Sequence, residues 1–323
     1  MADNVTDTAV ITPAVNAWFN KILLIRNKPK LIHTLFADRE TMPAGHGKTV
    51  VWRRWAQLPT KEAEVTEGVT PSADLLSKQD LRGTLAQYIG WVMITDVLEF
   101  TCENKILNQG ASELNDQMLR TEDILARNVL VATASVTTAS HGEPEVTCLN
   151  SDDVDIIANN LQNVDAQPIA PQINATVKVG TAPVLPSYWA LMHTALNRDL
   201  SRCVGYQNKS EYAAQQGVLD AERGAIDEVR FLASSVAHKE GSATAAFPTT
   251  PGTYYYIAIV AKHAYGVVDL KKANARLIIH PRGSAGSADP ADQRQTMAWK
   301  MMDVTRILND NNVQCLRVTK RSD

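Results

Sequence analysis

The sequence has few of the features that mark catalytic or metal-binding proteins. Its four cysteines lie far apart without a CxxC pair, so neither a disulfide framework nor a zinc knuckle is expected, and a reducing compartment fits. The seven histidines are scattered, with no HExxH pattern and no cluster at metal-ligand spacing. A GxSxG elbow is also missing. We therefore predict a protein that is not an enzyme, with no catalytic residues, no cofactor and no metal ion.

Long apolar runs and a strong charge of either sign are missing as well. No stretch reaches the roughly 18 apolar residues of a membrane-spanning helix, and no basic segment precedes an apolar run near the N-terminus. The formal net charge of −3 argues against a protein whose main task is to bind nucleic acid. We expect a soluble protein that is made in a cytoplasm and has no membrane partner.

What the sequence does contain is the pattern of a long projecting hairpin. Residues 48–58 are rich in Val and Trp, and residues 80–95 have a second, longer strand pattern, so both are predicted strands. Their connection is far longer than the roughly two to five residues of an ordinary hairpin loop. Neither strand has a clean buried face, and an isolated two-stranded ribbon is marginal in water. We therefore predict that a neighbouring subunit covers the hairpin. The contact candidates are Trp52, Arg53, Arg54, Trp55, Glu62, Glu64 and Glu67.

A basic segment precedes this hairpin. Thr12 and Pro13 begin a helical pattern that Pro29 ends, and no acidic residue lies between Asp7 and Asp38. Two interpretations stay open: an arm that touches a neighbour or packaged nucleic acid, and a solvated helix face. The basic residues, which form a possible DNA-facing patch, are Lys21, Arg26, Lys28 and Lys30.

The rest of the chain mixes helical and strand patterns without a regular βαβ repeat, which is typical of the α+β class. A long amphipathic helix is predicted over residues 97–133 and a short one over 151–162. Residues 238–253 are expected to form a loop of small residues. Trp299 lies on the bulky side of a strand predicted at 295–308, and we expect it in the core beneath the long helix. The apolar stripe of that helix consists of Leu107, Ala111, Leu114, Met118, Leu125, Val129 and Ala132.

Several stretches resemble the major capsid proteins of tailed bacteriophages, which share the Hong Kong 97-type coat fold. They span most of the chain after residue 48, and GSAGSADPADQR is the most specific of them. In chain order they are EGVTP (67–71) with QYIGW (87–91), YWALMH (188–193), AYGVVDL (264–270), GSAGSADPADQR with the following WK (283–300), and RILNDNN (306–312).

The resemblance implies a division of the chain into the parts of that coat fold. Residues 1–43 would be an N-terminal arm and 44–95 an extended β-hairpin loop. Residues 96–150 and 292–323 would form a peripheral domain that contains a long spine helix. Residues 151–291 would form an axial domain that packs around the five-fold and six-fold axes.

The resemblance also implies a function and a set of partners. The protein would self-assemble as pentamers and hexamers into an icosahedral head shell that encloses double-stranded DNA without sequence specificity. Because the arm starts almost at Met1, a separate scaffolding protein is expected, together with a portal and decoration proteins. The mature protein would lie in the virion capsid after assembly in the host bacterial cytoplasm. Two alternatives remain open: the shell of a cellular compartment with the same fold, and a soluble enzyme whose site the sequence does not reveal.

Overall fold

The structure, a computed structural model, describes residues 28–62, 64, 67–70, 72–96, 106–132, 135–140, 146–173, 184–212, 217–247, 250–270, 276–284, 286 and 289–321. The described residues begin at residue 28. Most of the helix predicted from Thr12, including Lys21 and Arg26, therefore lies outside them. Helices and strands follow one another in mixed order, which confirms the predicted α+β class.

The described elements agree with most of the predicted ones. The strands are β1 Asp38–Met42, β2 Thr49–Trp55, β3 Lys78–Thr84, β4 Ala86–Thr95, β5 Val136–Thr138, β6 Tyr188–His193, β7 Tyr206–Asn208, β8 Glu222–Ile226, β9 Val229–Ser234, β10 Lys239–Phe247, β11 Thr250–Val260, β12 Tyr265–Leu270, β13 Arg276–His280, β14 Arg294–Ile307 and β15 Val313–Thr319. The helices are α1 Ile106–Val131, α2 Ser151–Asn163 and the single turn α3 Asn197–Leu200, with 3₁₀ turns at Thr194–Leu196, Lys209–Glu211 and Asp310–Asn312.

The strand β14 is the central strand of a five-stranded sheet. It pairs with β4 along one side and with β12 and β13 along the other, and β1 adds to β12 in parallel. Alternate residues of β14 are buried beneath α1, where Met297, Trp299 and Met301 meet Leu114 and Met118. The predicted position of Trp299 beneath the long helix is therefore confirmed.

The helix α1 packs on two cores in succession. In the first half of the predicted apolar stripe, Leu114 and Met118 are buried as expected. In the second half Leu130 is buried, whereas Val129 is half-buried and Ala132 is exposed. The buried face changes because the C-terminal half of the helix leaves the five-stranded sheet and contributes Leu130 to a core against the second sheet.

The second sheet has eight strands in the order β5-β15-β11-β6-β9-β8-β7, with β10 also paired to β11. Its parallel neighbours β6 and β9 are buried along their whole length, as expected of strands covered on both faces. On one face α2 packs through Val154, Ile157 and Leu161. On the other face lie Ile32 and the end of α1.

The prediction of a loop at residues 238–253 is wrong. Residues 239–247 form β10, which pairs with β11 in an antiparallel hairpin. Small residues have weak strand propensity, but the ladder that β11 offers supplies backbone partners and overrides that preference.

Strand pairing also crosses the predicted domain boundaries. The strands β12 and β13, from the segment assigned to the axial domain, belong to the sheet of β14. The strand β15, from the segment assigned to the peripheral domain, pairs with β11 in the other sheet. Each sheet contains strands that are distant in sequence. The predicted domain boundaries therefore do not coincide with the division of the strands between the two sheets. The domain division itself stays a prediction.

The second strand of the predicted hairpin is two strands. The strand β3 pairs with β2, whereas β4 pairs along its whole length with β14. Between them Leu85 is buried in a small core with Met42 and Val268. The chain therefore turns into the subunit body at Leu85, and the projecting hairpin ends at residue 84 rather than at Thr95.

Candidate assembly surface

The base of the β2–β3 hairpin is fixed to its own subunit. Trp52 is half-buried and packs against the small core that holds Met42 and Leu85. A Cβ atom added at Gly83 would lie 2.9 Å from the Trp52 ring and 3.0 Å from Val304, so glycine leaves the room that the indole occupies. Of the predicted contact residues, Trp52 thus anchors the hairpin within its own chain.

Two arginines fasten the hairpin further. Arg53 Nε lies 2.9 Å from Asp80 Oδ1 across the strand pair, and the hydrogen bond from Arg53 holds the pKa of Asp80 below its ordinary value. Arg54 donates to Asn309 Oδ1 at 2.7 Å and to Gln79 Oε1 at 2.8 Å. Arg54 therefore ties β2 both to β3 and to the turn between β14 and β15. A groove of about 420 Å³ lies between these arginines and that turn.

Beyond Trp55 the hairpin carries a long loop, residues 56–77, which we call the arm tip. Every described side chain of the arm tip is exposed, and Trp55 at its base exposes 58% of its surface. An ion pair between Lys61 Nζ and Asp74 Oδ1, 2.7 Å apart, joins its two sides. The acidic contact candidates on this exposed loop are Glu62, Glu64 and Glu67.

The arm tip also presents apolar side chains that are not among the predicted contact residues. Leu75 exposes 92% of its surface, and Val69 and Leu76 are exposed as well. In the sequence, these exposed leucines could have been found as a leucine pair between charged residues in a segment with turn signals. Apolar groups this exposed favour burial against another molecule.

A second apolar surface lies on the five-stranded sheet, on the side opposite α1. Here β4 presents Ile89, Trp91 and Met93, and Trp91 exposes 62% of its surface. On β14, Ala298 is paired with Trp91 and Lys300 with Ile89. We call this surface the open sheet face. Its β4 residues were predicted to belong to the hairpin, because their pairing with β14 leaves no local signature.

The described part of the basic patch has acidic partners. Lys28 Nζ lies 2.9 Å from Asp116 Oδ2 on α1, and Lys30 Nζ lies 2.6 Å from Asp220 Oδ2. These pairs reduce the positive charge that the two lysines present. A role of this patch in DNA contact stays a prediction.

Two findings concern the candidate metal-ligating and nucleophilic side chains of the described residues. No group of three or more His, Cys, Asp or Glu side chains among them is placed to hold a metal ion. Burial raises the pKa of the Cys203 thiol to about 11 and that of Cys315 to about 12, so neither is a ready nucleophile. No helix within the described ranges is long and apolar enough to span a membrane.

One fully buried ion pair lies in the eight-stranded sheet. Arg230 on β9 contacts Glu222 on β8 through Nε at 2.8 Å and through Nη2 at 2.8 Å. The Tyr212 hydroxyl donates to Glu222 Oε1, and the guanidinium lies 4.4 Å from the centre of the Trp189 ring. Each partner is thus enclosed by its neighbours, which is typical of a structural anchor.

Neither a family model nor a curated protein sequence matches this chain. Solved phage capsids match it along its length. The capsid of Ralstonia phage GP4 matches with a TM-score of 0.68 at 12% identity, covering 98% of this chain and 99% of that one. The acidic stable capsid structure of Helicobacter pylori bacteriophage KHP30 has a TM-score of 0.67 at 11% identity, with 98% and 99% covered. The cyanophage Pam1 capsid has a TM-score of 0.62 at 12% identity, with 100% of both chains covered.

The chain therefore has the fold of phage capsid proteins, and the fold that the resemblance implied is confirmed. The likeness concerns the architecture, since few residues are identical. The contact residues of the hairpin remain a prediction.

Proposed function

We propose that this chain is the major capsid protein of a tailed bacteriophage, a structural subunit that self-assembles into an icosahedral head shell around double-stranded DNA. The observation that carries the proposal is the extent of the structural match. The Ralstonia phage GP4 capsid covers 98% of this chain and 99% of its own, so the whole architecture is shared rather than an isolated motif.

The exposed surfaces suggest how one subunit holds the next. The arm tip presents Leu75 and Leu76, and the open sheet face presents Trp91 with its apolar neighbours. In the proposed contact, the arm tip of one subunit packs on the open sheet face of the next. The glutamates of the tip would meet Lys300 on that face, so charge as well as apolar area is complementary.

The reach of the hairpin supports a contact between copies. A loop of this length, folded back on itself, can extend on the order of 30 Å beyond the strands that carry it. Its described side chains are exposed in the single subunit, which leaves their surface available to a neighbour. A tip that binds a different surface of the next copy is a heterologous contact, and such contacts close into rings or continue as lattices. Pentamers and hexamers are rings of this kind.

The remaining partners follow from the proposed role. A separate scaffolding protein, a portal and decoration proteins would complete the head, and assembly would take place in the host bacterial cytoplasm before the protein is found in the virion. Contact with the packaged DNA would be weak and non-specific, because the chain carries a formal net charge of −3. Lys28 and Lys30, already paired with carboxylates, would add little to it.

A cellular compartment shell is the second candidate, because it would use the same fold around a cargo enzyme. The purified full-length protein, alone and co-expressed with its genomic neighbours, separates the candidates. We expect material that sediments as particles and that electron microscopy shows as closed icosahedral shells. Particles that protect double-stranded DNA from nuclease favour the phage head, whereas particles that enclose a protein cargo favour the compartment.

A matched pair of variants tests the proposed contact in the same assay. Leu75→Ser together with Leu76→Ser should reduce the yield of particles, and so should Trp91→Ser on the open sheet face. Val204→Ser, at an exposed apolar position in the turn before β7, serves as the control and should assemble normally. A full-length protein that stays monomeric at every concentration and in every co-expression would contradict the proposed function.

A further inference from the structure

Acidic side chains meet where α1 crosses the five-stranded sheet. Asp269 on β12 and Asp303 on β14 are direct partners in the antiparallel ladder, so their Cβ atoms lie about 4.5–5.5 Å apart on one face. Beyond the effect of burial, the charge of Glu122 on α1 raises the pKa of Asp303, and the charges of Asp269 and of Asp123 raise the pKa of Glu122. Arg39 on β1 lies with its Nη2 atom 2.6 Å from Glu122 Oε1. One cation therefore faces three carboxyl groups drawn from three elements.

Asp303 is the member of this cluster that is worst placed to carry a charge. It exposes only 3% of its surface, and its buried Oδ1 atom has no hydrogen-bond partner among the described residues. Arg39 bonds to Glu122 rather than to Asp303. A buried carboxylate with an unpaired oxygen and a like charge directly opposite costs far more free energy than its protonated, uncharged form does.

We propose that Asp303, Asp269 and Glu122 form a proton-operated latch between α1 and the five-stranded sheet. With a proton held in the cluster the helix packs tightly on β12 and β14, and loss of that proton leaves like charges that loosen the contact. The charged groups that face Asp303 are Asp269 from β12, Glu122 from α1 and Arg39 from β1. The strand β4 places the uncharged Ala86 opposite Asp303.

The direction of the pH effect follows from linkage. Burial, together with the charges of Asp269 and Glu122, raises the pKa of Asp303 to about 7, and burial also raises the pKa of Asp269 and of Glu122. An unfolded aspartate has a pKa of about 3.9. Between these two values the folded chain binds the proton more tightly than the unfolded chain does. Stability linked to Asp303 is therefore greatest below about pH 4 and falls as the pH rises towards about 7.

Other groups act in the opposite direction. Burial lowers the pKa of His193 and of His238, so the stability linked to these side chains is lost as the pH falls through their range. The pH dependence of the wild-type protein alone is consequently a mixture. The difference in melting temperature between a variant and the wild-type protein, measured at two pH values, isolates the contribution of the latch.

The decisive substitution is Asp303→Asn, which keeps the size of the side chain and removes its charge. Melting temperatures of the purified full chain are compared at pH 5 and pH 8, in the same assembly state. We expect the melting temperature of the variant, relative to wild type, to rise by several degrees between pH 5 and pH 8. Amide exchange in α1, corrected for its intrinsic pH dependence, should be slower in the variant than in wild type at pH 8.

Glu40→Gln is the matched control, because Glu40 is the exposed neighbour of Arg39 on β1. It should leave the pH dependence unchanged. A variant-to-wild-type difference for Asp303→Asn that is the same at both pH values would overturn the latch. If Asp303→Asn does not fold, Asp269→Asn decides. Burial of Asp303 remains in that variant but the opposite charge is removed, so the fall in stability between pH 5 and pH 8 should be smaller than in wild type. An unchanged slope in that variant also overturns the proposal.

Discussion

The indole Nε1 of Trp299 donates a hydrogen bond to Oε1 of Gln117 at 2.8 Å and so joins β14 to α1. Gly90 lies opposite Trp299 on β4, and a Cβ atom added there would collide with the same nitrogen. Helix, central strand and neighbouring strand therefore meet at one side chain. This arrangement makes Trp299 the anchor of the core beneath α1.

Truncation of that anchor tests its role in folding. We expect Trp299→Ala to lower the free energy of unfolding by about 3–5 kcal/mol, because it removes a buried aromatic ring and leaves a cavity. The yield of folded subunit should fall, not only the yield of shells. Trp299→Phe serves as the control, since it keeps most of the ring volume and loses the bond to Gln117, at a cost of about 1 kcal/mol for that bond. An unchanged melting temperature for Trp299→Ala would show that the placement is wrong.

The buried pair of Arg230 and Glu222 gives a second prediction. Arg230→Met leaves Glu222 buried without its cation, and we expect a loss of roughly 3–5 kcal/mol in the free energy of unfolding. Glu222→Leu combined with Arg230→Met should recover much of that loss, because no unpaired charge remains. Chemical denaturation of both single variants and the double variant measures the coupling between the two positions. Additive effects would mean that the two side chains do not act as a pair.

Sequence patterns predicted the elements that bury a regular face. The strands β6 and β14 and the helix α2 have apolar residues at spacings that belong to one structure type. What the patterns missed depends on pairing between distant segments. No local pattern marks the break at Leu85, because residues 80–95 have one continuous strand pattern. Only the pairing of β4 with β14 separates it from β3.

Some residues of the candidate assembly surface could be predicted from the sequence, and others could not. The exposed position of Glu62, Glu64 and Glu67 follows from the turn and charge signals around them. Trp52 and Trp55, by contrast, look equivalent in sequence, yet Trp52 packs against its own subunit while Trp55 is exposed. The acidic cluster around Asp303 required the ladder register, which no local pattern specifies.

Contact with DNA gives a third prediction. Because of the formal net charge of −3, unassembled subunits should bind double-stranded DNA poorly at physiological salt and without preference for sequence. Fluorescence anisotropy with two unrelated duplexes, over a range of salt concentrations, measures both properties. Lys28→Ala should change the result little, because Lys28 already pairs with Asp116. Tight binding to one of the two duplexes would contradict this prediction.

The arm tip gives the last prediction, because it separates assembly from folding. Replacement of residues 60–76 by a short Gly/Ser turn removes Leu75, Leu76 and the glutamates but keeps the strands β2 and β3 with their anchor Trp52. The described side chains lost are exposed, and a shorter loop costs less closure entropy, so the subunit should keep its melting temperature within a few degrees. Shells should nevertheless fail to form, because interfaces depend on a few anchors and every subunit of a closed shell loses the same ones.

Two measurements keep these effects apart. Circular dichroism and thermal melting follow the fold of the shortened chain, while sedimentation and electron microscopy follow its shells. Leu75→Ser together with Leu76→Ser keeps the loop length, so a shared assembly defect assigns the effect to apolar contact rather than to reach. Normal shells from the shortened chain would show that the arm tip is dispensable for assembly. Insoluble, unfolded protein would show instead that residues 60–76 belong to the core of their own subunit.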